Sequence, residues 1–298
     1  RDRSPSRGLG DVYKRQADCY NSHKYFRKFS TKDRIEEIMK VSLIQMAIYE
    51  AEPKKNIENV LAWLEKAALD ESDVIVLPEM WNTGYALEQM AELSDKDGQQ
   101  TKNLLGKFAK ENQVNLVAGS VATVKKNQFF NTTYVFNRAG QVIADYDKVH
   151  LFGLMGEDRF LQAGHRESTF ELDGVKVASI ICYDMRFPEW VRTLMATGAR
   201  VLFVVAEWPK KRVPQWEILL RARAVENQAF VVAVNRVGQG VLDDFSGHSL
   251  VIDPLGNVIL QAPDNQEGVF SVDIDLSEVE KVRGHIPVFA DRKPELYH

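Results

Sequence analysis

From residue 39 onward the chain alternates short apolar runs with longer stretches of helical period. Val41–Ala47 (VSLIQMA) reads as a first strand. Lys54–Asp70 carries Ile57, Val60, Leu61, Leu64 and Ala68 on one face, the spacing of an amphipathic helix. Pro53 precedes it, where a missing N–H costs nothing. Val74–Leu77 is a continuous apolar run, as expected of a strand covered on both faces. Further strands are predicted over Asn115–Ala122, Thr132–Asn137, Val142–Tyr146, Val175–Ile181, Val201–Ala206, Ala229–Asn235, Ser249–Ile252, Val258–Gln261 and Val269–Ile274. Helices are predicted over Asp97–Asn112, Glu189–Thr197 and Pro214–Asn227. Many strands with few long helices disfavour a single doubly wound sheet, which needs a helix at nearly every crossover. The pattern predicts an α/β fold of two mixed sheets stacked in four layers, α-β-β-α. No linker, repeat or composition break interrupts residues 39–298, so one domain is expected there.

The first 38 residues read differently. Residues 1–16 (RDRSPSRGLGDVYKRQ) have no hydrophobic period and resemble a translated adaptor scar. Residues 17–38 are polar, and Met39 is the expected start of the protein. A transit peptide is the alternative, and Asp2, Asp11, Asp18, Asp33, Glu36 and Glu37 argue against it, because such peptides are poor in acids.

Composition narrows the function classes. The 298 residues are 45% hydrophobic and 27% charged, with a net charge of -4 and a pI near 5.9. That balance lacks the basic footprint of a nucleic-acid binder. No apolar run approaches the roughly 18 residues of a membrane span. Two cysteines, Cys19 and Cys182, do not make a disulfide framework, and a reducing, cytoplasmic setting is expected. Metal-ligand spacings such as HxxxH or CxxC are absent, so neither a metal nor another cofactor is expected.

Three short segments, each following a predicted strand, carry candidate chemistry. Glu79 in Leu77-Pro78-Glu79-Met80 is placed for partial desolvation and general-base work; the alternative is a loop salt bridge or helix cap. Lys148 in Tyr146-Asp147-Lys148-Val149-His150 could offer fixed positive charge to an oxyanion; the alternative is an edge-strand lysine. Cys182 ends a strand ahead of a tight turn, the arrangement of a nucleophile elbow; the alternative is an inert buried thiol. His150 is the histidine closest to these segments and would be the base of a Cys–His mechanism, with His248 a more remote choice.

Taken together, LPEM at 77–80, DKVHLF at 147–152 and CYDMRFPEW at 182–190 resemble the nitrilase (carbon–nitrogen hydrolase) superfamily over residues 39–298. The resemblance implies an α-β-β-α sandwich and a Glu–Lys–Cys triad of Glu79, Lys148 and Cys182. It implies a second glutamate, Glu157, nine residues after Lys148, to orient the lysine or assist the water step. The implied reaction is hydrolysis of a small-molecule amide through a thioester on Cys182, the oxyanion held by Lys148 and the Tyr183 backbone N–H. Lys148 is expected to lower the pKa of the thiol. A homodimer is also implied.

A finer likeness is to omega-amidases, which act on amides of α-keto acids such as 2-oxoglutaramate and 2-oxosuccinamate. It rests on PEMWNTGY at 78–85, AEWP at 206–209, Trp216, RARAVENQAFVVAVNRVG at 221–238 and IPVFADRKPELY at 286–297. Arg186 is the candidate for the substrate carboxylate, or else a structural ion pair with a nearby acid. Tyr85, Phe152 and Trp208 are candidate pocket walls, or else plain core. The run Lys210-Lys211-Arg212 reads as a solvated loop with a minor part in attracting anions. A sister branch, such as an N-carbamoyl amine hydrolase or an aliphatic amidase, and a silent binding protein on the same fold are the other readings.

Overall fold

The computed structural model describes residues 37–241 and 243–297. The expected leader, residues 1–38, lies outside the described residues except for its last two, and Ile38 already opens the first strand opposite Asp275.

In chain order the first half holds β1 (Ile38–Gln45), α1 (Pro53–Ala68), β2 (Val74–Val76), α2 (Met90–Leu93), β3 (Asp95–Lys96), α3 (Gln99–Asn112), β4 (Asn115–Val117), β5 (Val121–Lys125), β6 (Gln128–Phe136) and β7 (Val142–Asp147). The second half holds α4 (Glu157–Phe160), β8 (Thr169–Leu172), β9 (Val175–Ile181), α5 (Pro188–Met195), β10 (Val201–Ala206), α6 (Val213–Asn227) and β11 (Phe230–Asn235). It closes with β12 (Val237–Gln239), β13 (Asp244–Ser246), β14 (Leu250–Ile252), β15 (Val258–Gln261), β16 (Gly268–Asp275) and α7 (Ser277–His285).

One sheet has eight strands in the order β16-β1-β2-β4-β6-β5-β3, with β7 also on β6. The other has six, in the order β15-β14-β11-β10-β9-β8. Both are mixed: β1, β2 and β4 run parallel, as do β9, β10 and β11, and hairpin-type pairs flank them. Side-chain alternation shows how the layers stack, since successive residues of a strand point to opposite faces. In β2, Val74 and Val76 join the core formed with β9 and β10, while Ile75 packs on the helix side with Val60 and Leu64 of α1 and Leu105 of α3. β1 does the same with Val41 and Leu43 against Ile44. Beyond the second sheet, Val191 and Leu194 of α5 and Trp216 and Leu220 of α6 complete that core. The architecture is the expected α-β-β-α sandwich. Both faces of the central strands are apolar for a physical reason: each fully buried Val, Leu or Ile contributes about 1.5–3 kcal/mol.

Several elements differ from the sequence reading. The run Asn115–Ala122 is not one strand but two, β4 and β5, which pair in succession along one edge of β6 while β7 takes the other. Gly119 divides them. It adopts φ +59, and a Cβ there would sit 2.0 Å from the Pro78 carbonyl oxygen. The two-residue β3, the four-residue β8, the β12–β13 hairpin and α7 were not expected. The strands are too short for a period to register, and α7 buries one residue, Val279, so its sequence shows no apolar face.

Candidate active site

The parallel strands set the site. β2 leads into Leu77-Pro78-Glu79, β9 runs into Cys182, and β10 runs into Glu207, so three chemically active residues leave the carboxyl ends of parallel strands, one in the eight-stranded sheet and two in the six-stranded one. Such ends are where open α/β sheets gather ligands. Val205 is level with Ile181 across the parallel β9–β10 pair, so Cys182 is level with Ala206 and one residue short of Glu207. The cysteine Sγ lies 4.0 Å from the Glu207 carbonyl oxygen.

Lys148 follows β7. Its backbone N–H donates to Asn131 O at 2.9 Å, and its side chain reaches inward. Its ammonium donates to Glu79 Oε1 at 2.9 Å and Glu157 Oε1 at 2.7 Å, and all three side chains are fully buried. Glu157 opens the short α4, and its Oε2 accepts the Phe152 N–H at 2.7 Å, which folds the 152–157 loop back onto the site. Glu79 Oε1 also accepts from Asn131 Nδ2 at 2.8 Å and from the Tyr85 hydroxyl at 3.0 Å, and Tyr85 donates to Glu157 Oε1 at 2.6 Å. Tyr85 is therefore a hydrogen-bonding bridge between the two glutamates as well as a wall.

Cys182 starts a 3-10 turn, Cys182–Arg186, with φ 44, a left-handed conformation that costs a non-glycine residue energy and is held only by its surroundings. Asp184 does the holding. Its Oδ2 accepts from Ile181 N–H at 3.0 Å and Tyr146 hydroxyl at 2.7 Å, and its Oδ1 accepts from His150 N–H at 2.9 Å. The Tyr183 N–H lies at the start of this turn, among the amides that a helical segment leaves without an internal partner. His150 does not serve the thiol: its Nδ1 is 2.8 Å from Asp184 Oδ1, and its ring stacks on Phe187 with centroids 3.7 Å apart. His248 engages Asp264 at 2.8 Å. Among the described residues no His, Cys, Asp or Glu cluster could hold a metal ion.

The electrostatics are those of a dry, crowded site. Burial pushes the Cys182 thiol well above its ordinary pKa. The Glu79 charge adds to this and Lys148 opposes it. Lys148 lowers the thiol pKa in the expected direction, and burial with the glutamate charges outweighs it. Burial alone would lower Lys148, but Glu157 and Glu79 overcome it and hold the ammonium well above its usual value. Glu157 is raised by burial, with Lys148 opposing. Glu207 is raised to about 8 by burial, against the lowering effect of Arg236, whose Nη1 is 3.0 Å from Oε2. The site therefore buries three carboxyls, Glu79, Glu157 and Glu207, against two cations, Lys148 and Arg236. Full ionisation would leave one uncompensated buried charge, and burial accordingly raises Glu157 and Glu207.

The small cavity beside the thiol is walled by Tyr85, Phe152, Cys182, Tyr183, Arg186 and Trp208, with Glu207 and Arg212 also on its lining. All four pocket candidates from the sequence are thus at one site. Arg186 forms no ion pair with an acid among the described residues; its guanidinium lies 4.8 Å from the Trp208 ring centroid. Trp208 is fixed by two bonds, N–H to Asn235 Oδ1 and Nε1 to Arg212 O, both 2.7 Å. Asn131, Glu207 and Arg212 are site residues that the sequence reading missed. The first two lie in or just past apolar strands, and the third in a basic run.

Residues 40–284 match the carbon-nitrogen hydrolase family. The chain is similar to a 2-oxoglutaramate amidase of Bacillus subtilis (strain 168), 46% identical over 257 residues that cover 86% of this chain and 98% of that protein. It is similar to an omega-amidase of Homo sapiens, 30% identical over 267 residues covering 87% and 96% of the two chains. Among solved structures it resembles a CN-hydrolase superfamily protein of Xanthomonas campestris with an arsenic adduct in its active site. The TM-score is 0.81 at 30% identity, with 86% and 97% of the chains covered. No helix among the described residues is long and apolar enough to cross a membrane.

Proposed function

The chain belongs to the carbon-nitrogen hydrolase family, and from that premise we propose that it is an omega-amidase, releasing ammonia from the terminal amide of a small α-keto dicarboxylic acid monoamide. The observation that carries this is the meeting of Glu79, Lys148 and Glu157 beside a buried thiol that lines a small cavity, whose wall also presents Arg186, a guanidinium unpaired among the described residues.

The resting thiol is neutral, so nucleophile activation and attack go together. Glu79 accepts the Cys182 proton as sulfur bonds to the amide carbon. The amide oxygen becomes an oxyanion, stabilised by the Lys148 ammonium and the Tyr183 N–H. Glu79 then gives its proton to the amide nitrogen, the C–N bond breaks, and ammonia leaves a thioester on Cys182. Water, deprotonated by Glu79, attacks the thioester and releases the acid and the thiol. Glu157 positions Lys148 and keeps it charged. Arg186 takes the substrate carboxylate, which a guanidinium can bind with two N–H groups at once.

We also propose a cytoplasmic homodimer. A catalytic thiol favours a reducing compartment, and exposed Ile218, Val225 and Leu255 offer apolar surface for a second subunit. Sedimentation equilibrium and cell fractionation test these two points.

Ammonia release from 2-oxoglutaramate, 2-oxosuccinamate, glutamine, a short aliphatic amide and an N-carbamoyl amine, with Cys182→Ala as control, tests the reaction. Preference for the two keto-acid amides that disappears in the variant is expected. Cys182-dependent turnover of another substrate alone would move the enzyme to a sister branch. No turnover and no acyl adduct on Cys182 would leave a binding protein.

A further inference from the structure

We infer that Arg212 is a second reader of the substrate's carboxylate end, working with Arg186 to select anionic amides; this rests on the omega-amidase reading.

The argument begins with which arginines near the cavity are free. Arg236 is paired with Glu207 and donates to the carbonyls of Ile48, Val237 and Gln239. Arg223 is paired with Glu226 and donates to Met185 O. Arg186 and Arg212 are different. Among the described residues neither guanidinium has a carboxylate or hydrogen-bond partner, and each lies over an aromatic ring of the cavity wall. Arg212 stands 5.5 Å from the Phe152 centroid, and the Phe152 ring lies 4.7 Å from that of Tyr183, next to the nucleophile. Both arginines are half-buried. A half-buried guanidinium without an anion has lost hydration and gained little in return, which is the state of a group awaiting its ligand.

The turn carrying Arg212 is fixed rather than loose. Arg212 N–H donates to Pro209 O at 2.9 Å, Trp208 Nε1 donates to Arg212 O, and Lys211 pairs with Asp243 on the β12–β13 hairpin. Arg186 stacks on the same Trp208 that holds the Arg212 backbone, so one indole ties the two cations together. Charge also sets the direction in which the substrate lies. Glu207 is the acid on the cavity lining, and among the described residues the unpaired cations on that wall are Arg186 and Arg212, which draw the carboxylate to their side. An α-keto carboxylate offers three oxygen acceptors, more than one fork of donors can use, and two guanidiniums match it.

The test compares Arg212→Gln and Arg212→Lys with the parent on 2-oxoglutaramate and on a short neutral amide. Calorimetric titration of 2-oxoglutarate into Cys182→Ala and Cys182→Ala/Arg212→Gln reads the anion site without turnover. Expected are a 10- to 100-fold loss of kcat/KM on the keto-acid amide, carried by KM, and under about twofold change on the neutral amide. Arg212→Lys should recover part of the loss, and dicarboxylate binding should weaken about as much as KM rises. Equal losses on both substrates would mean a structural role for Arg212, and unchanged dicarboxylate binding would overturn the inference. If the parent ignores keto-acid amides yet binds 2-oxoglutarate through Arg212, the omega-amidase reading fails while the anion site stands.

Discussion

The backbone N–H of Glu207 donates to Oε2 of Glu79 over 2.8 Å, and this bond joins the ends of strands from two different sheets. Glu79 sits past β2 of the eight-stranded sheet and Glu207 past β10 of the six-stranded one. The bond orients the proposed base: Oε2 is occupied by the partner sheet, while Oε1 is shared among Lys148, Asn131 and Tyr85. A carboxylate held at both oxygens loses little freedom when it moves a proton, which is the benefit of preorganisation. The sandwich thus does more than bury surface; its two halves each supply part of the same site.

Replacing the base should separate reactivity from turnover. Glu79 raises the Cys182 pKa, so Glu79→Gln removes a negative charge and leaves Lys148 less opposed, and the thiol pKa falls. Iodoacetamide should therefore label Cys182 faster in the variant at pH 8, while kcat falls by about 10²–10⁴, the usual worth of a general base. Slower labelling in Glu79→Gln would contradict the assignment of the resting thiol as neutral.

Tyr85 offers a second dissection. Burial and the two glutamates raise its pKa well above the phenolic range, so it stays a donor throughout any assay pH. Its one proton serves Glu157 Oε1 at 2.6 Å and Glu79 Oε1 at 3.0 Å. Tyr85→Phe should cost about 1–2 kcal/mol of stability, that of a lost buried hydrogen bond to charge. We expect roughly a tenfold fall in kcat, on the order of 1.4 kcal/mol, equal at pH 7 and pH 9.5. A kcat loss that grows at alkaline pH would show that the hydroxyl itself titrates.

How these groups relate to the sequence is uneven. Glu79, Lys148 and Cys182 were legible because each follows a β run within a short, distinctive motif, and the layer order followed from the ratio of strands to helices. Glu157 was legible only through resemblance, because it begins a four-residue helix with no period of its own. The bridging role of Tyr85 depends on partners 6 and 72 residues away, and the Glu207–Arg236 pair on residues 29 apart. No local pattern encodes such meetings. Arg212 was hidden by its neighbours: Lys210 and Lys211 are exposed, as a basic run should be, and the third residue of the run turns inward.

Gly119 is the most demanding backbone position near the site. It adopts φ +59, its would-be Cβ is 2.0 Å from Pro78 O and 2.9 Å from the Leu77 carbonyl carbon, and both of those atoms are backbone. The following Ser120 accepts and donates around Met80, Trp81 and Pro78, so the segment is the mould against which Glu79 is set. Gly119→Ala must shift one backbone or the other. It should lower stability by about 2–4 kcal/mol from left-handed strain and overpacking combined, and kcat by at least tenfold as Glu79 moves. Urea melts and kinetics check both. An unchanged midpoint with full activity would mean that the Pro78–Glu79 segment is not fixed by this contact.

The excess of buried acid should show in the pH dependence of stability. Glu207 has a folded pKa of about 8, raised by burial, against 4.5 for an ordinary glutamate. Between those values the folded chain keeps a proton that the unfolded chain has released. Stability therefore falls as pH rises from about 4.5 to about 8 and levels off beyond, the reverse of a salt-bridged carboxylate with a lowered pKa. Glu207→Gln removes that slope. The loss of charge beside Arg236 adds an offset that does not depend on pH, so the informative quantity is the change in the difference between the two proteins. In thermal melts at pH 5, 6, 7 and 8, the variant's Tm should gain steadily on the parent's. A difference that stays flat over this range would place Glu207 as a fully ionised partner of Arg236, and the surplus proton would then belong to Glu157, held between Lys148 and Tyr85.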